Sequence, residues 1–160
     1  MLATITKNEK GLLARYTRQL PFSVDRVWAA LTQNEQLEYW MPNLQVEDLR
    51  EGGSITFNFN DGSGKTFDMK ILKFEHLNVI QYEWGEGWAR FELLSDDNGC
   101  LLHFIDYIPI ITEHAPKDLA GWHVCLECLY DLLEGKPKDL DMNDWEKWYG
   151  EYKKCVIGNE

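Results

Sequence analysis

The sequence predicts an α+β fold in which a curved antiparallel sheet of about six or seven strands wraps one long helix late in the chain. Three observations carry this reading. Over residues 117–136, Leu119, Trp122, Leu126, Leu129 and Leu133 fall on one stripe of a helical wheel, while Glu127, Asp131 and Glu134 share another face. Over residues 46–108, short segments alternate apolar and polar residues between Gly-rich turns, the pattern of an antiparallel meander. The strand at residues 12–20 is followed by two short helical segments. Pro116 and Gly135 punctuate the long helix at its two ends. About twenty residues at ~1.5 Å rise make a rod of roughly 30 Å, enough to span a small domain. A helix with an apolar stripe needs a partner, and the concave face of the sheet is the one available.

Taken in order, residues 1–11 read as polar and loose, and Pro21 ends the first strand. Ser23 is placed to cap a helix over residues 23–31, with Phe22 packed on Val27 as a hydrophobic staple. Thr32-Gln33-Asn34-Glu35 has the capping-box spacing, so a second short helix should run through Leu37 to Trp40 and stop at Pro42. Gly52-Gly53 closes the strand that begins near Val46. Over residues 53–60, Ile55, Phe57 and Phe59 share one face opposite Thr56 and Asn58. Asp61-Gly62-Ser63-Gly64 turns the chain, and Phe67, Met69 and Ile71 continue the same face on the way back. Ile80, Tyr82 and Trp84 form the next row, then Ala89, Phe91 and Leu93. The last strand, residues 100–108, is apolar on both faces, so either a partner covers its outer side or it lies at the centre of the sheet. Asn143 or Asp144 then caps a final helix in which Trp145, Trp148, Tyr149, Tyr152 and Val156 form a stripe.

With 160 residues the chain reads as a single domain, 1–160, able to bury about 70% of its unfolded surface. Its core is expected over residues 12–135, followed by a connector at 136–142 and an additional aromatic helix at 143–158. The protein is acidic, with a formal charge of -11, and its sixteen Lys and Arg are scattered, which argues against nucleic acid as a partner. No apolar run approaches the ~20 residues of a membrane span, and residues 1–10 lack a signal-peptide stretch. No membrane association and a cytoplasmic location are the expectation. Cys100, Cys125, Cys128 and Cys155 are too few for a disulfide framework and are expected as reduced thiols.

Val27-Trp28-x-Ala30-Leu31-Thr32, then Leu37 and Trp40, Asp48-x-Arg50-x-Gly52-Gly53, Tyr82-x-Trp84 and Gly121-Trp122 occur in this order. Over residues 12–135 the sequence thereby resembles the stand-alone bacterial homologues of the activator of heat-shock-protein-90 ATPase, within the START-like (SRPBCC) superfamily. The resemblance implies a helix-grip fold like that of the birch-pollen allergens, with a hydrophobic-ligand cavity between sheet and helix. In some branches it also implies cyclase or hydrolase activity, without catalytic residues common to all members. The chain departs from the family pattern after residue 136, where the aromatic helix is extra, and it lacks the separate N-terminal domain of the eukaryotic co-chaperones.

Strand parity and helix face place Phe57, Phe59, Phe67, Met69, Tyr82, Trp84, Phe91, Phe104, Trp122 and Leu126 toward such a cavity, and the resemblance adds Trp40 over one end of the grip. The competing expectation is that these large side chains fill the interior completely. Binding of a small hydrophobic or aromatic molecule is the leading functional expectation. The alternatives are a protein-interaction module, co-chaperone-like or a homodimer joined through the last strand and the Trp145/Trp148 stripe, and a cyclase- or hydrolase-type enzyme using the same cavity. The chain has no nucleophile-elbow, phosphate-loop or zinc-protease motif, so no catalytic constellation and no cofactor are expected. The one candidate catalytic residue is Asp106, which parity puts on the face of Leu102 and Phe104. No metal is expected, because His123-x-Cys125-x-x-Cys128 lies within a helix and has no second ligand pair.

Overall fold

The structure is a computed structural model that describes residues 1–157. Its strands are β1 (Thr4–Asn8), β2 (Gly11–Leu20), β3 (Leu44–Asp48), β4 (Ser54–Asn58), β5 (Thr66–Glu75), β6 (Val79–Trp84), β7 (Gly87–Asp96) and β8 (Gly99–Ile108). They form one antiparallel sheet in the order β1-β2-β8-β7-β6-β5-β4-β3. The helices are α1 (Val24–Thr32), α2 (Asn34–Trp40), α3 (Ala115–Leu133) and α4 (Met142–Ile157). The α+β helix-grip architecture is as expected, with one more strand.

That strand is β1. Residues 1–11 are not loose, because Ala3 donates its backbone N–H to the Tyr152 hydroxyl (3.0 Å) and Lys7 Nζ donates to the Val156 carbonyl (2.6 Å). α4 thus holds an edge strand whose own side chains are almost all in water, so no buried face marks it in the sequence.

Strand β8 proves central, paired to β2 on one side and β7 on the other. Pairing in register builds rows across the concave face. One row runs Tyr16, Phe104, Phe91 and Ile80, and the next Ala14, Asp106, Ala89 and Tyr82. A bulge between Ile71 and Lys73 bends β5 where the sheet turns toward β4 and β3. The Asp48-x-Arg50-x-Gly52-Gly53 segment is a tight turn docked on β5, with Gly52 N donating to Ile71 O (2.8 Å) and Ile71 N to Gly53 O (2.9 Å). A Cβ at Gly53 would meet the Asp48 carbonyl oxygen, so this position accepts no larger residue without displacing the turn.

Ser23 Oγ caps α1 by accepting from Arg26 N. The capping box expected at residues 32–35 does not form. Thr32 Oγ1 instead donates back to the Trp28 carbonyl (2.8 Å), and the Asn34 side chain clamps α2 to β3 through both the N–H and the C=O of Val46. Trp40 Nε1 donates to Ala30 O (2.8 Å) and ties α2 to α1.

Helix α3 lies across the concave face, with Leu119, Trp122, Leu126, Leu129 and Leu133 buried as the stripe requires. It begins two residues before the expected start and ends in a Schellman motif. There Gly135, at φ 81°, donates to Leu132 O and Lys136 N donates to Asp131 O. Its outer side is buried as well, under α4. His123 is stacked on Trp148 (ring centroids 3.9 Å apart), and its Nδ1 is 2.7 Å from the Tyr152 hydroxyl. Cys128, which the wheel alone turns away from the core, is buried by the same contact. Helix α4 is capped by Asp141, whose carboxylate accepts from Asn143 N, rather than by Asn143 or Asp144. Gly158, where this helix was expected to end, lies outside the described residues. Of the two surfaces considered for a homodimer, β8 has no free edge but Leu101, His103 and Tyr107 on its outer face are half-buried, and Trp145 and Trp148, the latter stacked on His123 of α3, are half-buried as well.

Candidate functional site

The interior between α3 and the sheet is close-packed over most of its length and opens at one end. Near the N-terminal half of α3, two adjoining clefts of about 390 Å³ each share Trp84, His114 and Asp118. Phe57, Trp84 and Trp122 wall the first, with Met41, Cys125 and Trp145 at its back and Asn43 and Lys117 at its rim. The second is bounded by the Gly85-Glu86-Gly87 turn, Tyr107 and Ile108-Pro109-Ile110.

The expected cavity residues separate into three groups. Phe57, Trp84 and Trp122 line the first cleft. Trp40, Met69, Tyr82, Phe91, Phe104 and Leu126 are buried in the packed interior and line neither cleft. Their rings interlock, with Phe104 and Trp122 at 4.2 Å and Phe91 and Phe104 at 4.5 Å between centroids. Phe59 and Phe67 are 45% and 43% exposed. They form a phenyl cluster with Phe57 on the β4–β5 hairpin, which carries the apolar wall of the first cleft outward to solvent.

Asp106 sits in the second row of the sheet and is fully buried, between Ala14 and Ala89 in the strand register. Neither of its oxygens has a donor among the described residues, and its carboxyl faces that of Asp118 on α3. Burial, together with the negative charge of Asp118, holds the Asp106 carboxyl well above the usual carboxylate range. Opposite the charge of Asp118, the neutral form of the buried Asp106 carboxyl is the favoured one. Asp118 lies in the first turn of α3, where the helix dipole favours a negative charge. Its Oδ1 accepts from Trp84 Nε1 at 2.9 Å and its Oδ2 is unpartnered among the described residues. Burial also raises the neighbouring Tyr16 and Tyr82 hydroxyls well above their ordinary range, so both stay neutral. Tyr16 donates to Leu119 O (2.8 Å).

Residue-by-residue reading of the sequence did not single out Asp118. The signal was present, because Asp118 stands four residues before Trp122 and therefore on the same helix face. The His123-x-Cys125-x-x-Cys128 segment does not converge: His123 meets Tyr152, while Cys125 Sγ lies 3.9 Å from Met41 Sδ. Burial pushes the Cys125 thiol up to about 12 and the Cys128 thiol up to about 11, so neither is a ready nucleophile or ligand. No set of three or more His, Cys, Asp or Glu side chains is arranged to hold a metal ion among the described residues. No helix among them is long and apolar enough to cross a membrane.

Solved structures with the same fold include a conserved protein of unknown function from Enterococcus faecalis. It is 22% identical, with 97% of this chain and 90% of that one covered at a TM-score of 0.87. CalU16 from Micromonospora echinospora is 21% identical, with 95% and 94% covered at 0.71. The Aha1 dimer from Colwellia psychrerythraea is 22% identical, with 76% and 96% covered at 0.64. No curated protein matches the sequence. Residues 21–134, well over half of the chain, match the family described as activator of Hsp90 ATPase homolog 1-like protein, and the span runs from the start of α1 to the end of α3. With the sheet, the paired short helices and the gripped helix all in place, the chain belongs to the activator of Hsp90 ATPase homolog 1-like family.

Proposed function

We propose that this protein binds a small apolar or aromatic molecule, without transforming it, in the cleft where α3 parts from β4 and β6. The observation that carries the reading is the aromatic wall of Phe57, Trp84 and Trp122 around about 390 Å³, open to solvent past Phe59 and Phe67. Apolar surface with a few convergent polar groups is what a small-molecule site presents, and this volume falls within the usual ligand range. Trp122 stacks behind the cleft on Phe104, so the wall is held rigid by the packed interior. The whole chain acts as one domain in this reading, since α4 buries the outer side of the helix that forms the site. Four free thiols suit a cytoplasmic location.

Native mass spectrometry of protein purified from its source tests this. A retained small molecule, released on denaturation, is the expected result. A homodimer or a co-purifying polypeptide with no small molecule would instead favour an interaction module, the reading to which the dimeric Colwellia psychrerythraea protein lends support.

A further inference from the structure

Asp118 lines both clefts and Trp122 the first, while Asp106 lies behind Asp118 and lines neither, and the polar atoms of all three carry the same message. Both oxygens of Asp106, Oδ2 of Asp118 and Nε1 of Trp122 are buried without a partner among the described residues. Trp122 is 2% exposed and Asp106 is 0% exposed, so neither is satisfied by bulk solvent. The groups that face Asp106 are acids or neutral side chains. They are Tyr16 from β2, Tyr82 from β6 and Asp118 from α3, with Ala14 and Ala89 flanking it in the strand register. Arg15 and Arg90, the nearest cations along β2 and β7, are registered with Ile105 and so belong to the opposite face. Lys117 and His114 stand at the mouth, exposed, where water screens them. A carboxyl pair has therefore been taken out of water with no protein cation to answer it, and the indole faces beside it also favour positive charge.

We propose that the cleft at the Trp84–Asp118 junction takes a protonated amine carried on an apolar or aromatic body, with Asp118 holding the ammonium and the unpartnered Asp106 carboxyl behind it adding its charge. This rests on the small-molecule reading above and names its ligand class. Trp84 Nε1 fixes Asp118 through Oδ1 and leaves Oδ2 pointing free for an N–H of the ligand. Trp122 Nε1 remains as a donor for an oxygen elsewhere on the same molecule. Asp106 gives up its proton to solvent as the ammonium arrives, so net charge in the site is conserved. Anionic amphiphiles such as fatty acids meet the carboxyl pair with like charge and are rejected.

Isothermal titration of the full chain with naphthylethylamine, naphthylethanol and naphthylacetate separates the possibilities. In this series the aromatic body is held nearly constant while the charge varies. The amine should bind about tenfold tighter than the alcohol, and the acetate more weakly than either. Repeating the amine titration in buffers of different ionisation enthalpy should show about one proton released per amine bound. Asp106→Asn and Asp118→Asn should each bring the amine-to-alcohol ratio to within about twofold of unity. Asp118 is only half-buried, so Asp118→Asn carries the test if Asp106→Asn fails to fold. Alcohol and amine binding equally would overturn the amine assignment and leave the small-molecule reading standing. Failure of all three probes to bind would overturn both.

Discussion

Replacing Asp106 by Asn isolates the cost of the buried carboxyl pair. The folded protein holds the Asp106 proton far above the point at which an unfolded chain gives it up, because burial and the Asp118 charge both oppose ionisation. Between the unfolded and folded values the native state therefore binds one more proton than the denatured state. Stability falls as pH rises through that window, at up to about 1.4 kcal/mol per pH unit. Asn has the shape of the protonated acid, and its amide can donate to Asp118, but it cannot ionise. The variant should match the wild type near about pH 4 and become the more stable of the two as pH rises, the gap widening until Asp106 ionises in the fold. Asp61 and Glu75, whose carboxyls are held below their ordinary values by local hydrogen bonds, act in the opposite sense in both proteins and cancel in the difference. Urea unfolding of the pair in steps from about pH 4 to about pH 8 measures it. A gap that stays constant with pH, or a wild type that gains on the variant, would show that Asp106 is ionised in the fold and would sink the reading of Asp106 as a neutral buried acid.

Three further outcomes follow from the geometry. Trp122→Ala should cost about 3–5 kcal/mol by denaturant melts, because the indole, though it walls the cleft, is 2% exposed and sits 4.2 Å from Phe104 and 4.8 Å from Trp84 between ring centroids; a loss under ~1 kcal/mol would mean that the packed interior does not depend on it. His123 is held neutral by burial, its pKa pushed down to about 3, so its contribution is fully present above about pH 6.5 and is lost as pH falls from there toward about 3. A His123→Gln variant should lack this part of the acid destabilisation, and parallel acid slopes for the two proteins would contradict it. Truncation after Lys136 should remove several kcal/mol or abolish cooperative folding, since Tyr152 and Val156 are buried and each such side chain contributes ~1.5–3 kcal/mol. An unchanged melting temperature for the shortened chain would show that α4 is an appendage.

What could be read from the sequence was set by where burial is local and where it is tertiary. The alternations at Ile80/Tyr82/Trp84, Ala89/Phe91/Leu93 and Leu102/Phe104 were legible because each strand buries one face under a single helix. β1 was not, since its residues are almost all in water and its pairing depends on α4, well over a hundred residues away. Parity gave Phe59 and Phe67 the correct face, but face says nothing of reach: β4 ends at Asn58, and the hairpin overhangs the end of α3. The wheel gave α3 one apolar stripe. The second buried face, with His123 and Cys128, exists only because α4 returns to cover it.

Asp106 marks the point at which stability alone stops explaining the residues present. A buried pair of carboxyls costs more than it returns, and apolar residues of similar volume in its place would leave the fold at least as stable. The rows beside it show that this sheet builds such an interior readily, with Phe104 and Phe91 packed in the adjacent row and Leu102 in the row beyond. Ala14 and Ala89, small on either side, flank the one acidic side chain of that row. Local rules obeyed along the rest of the concave face are thus broken at one spot, behind Asp118, where helix and sheet separate into the two clefts. A site that holds two acids apart from any base, beside indole walls and an opening, gains from them only when something basic arrives.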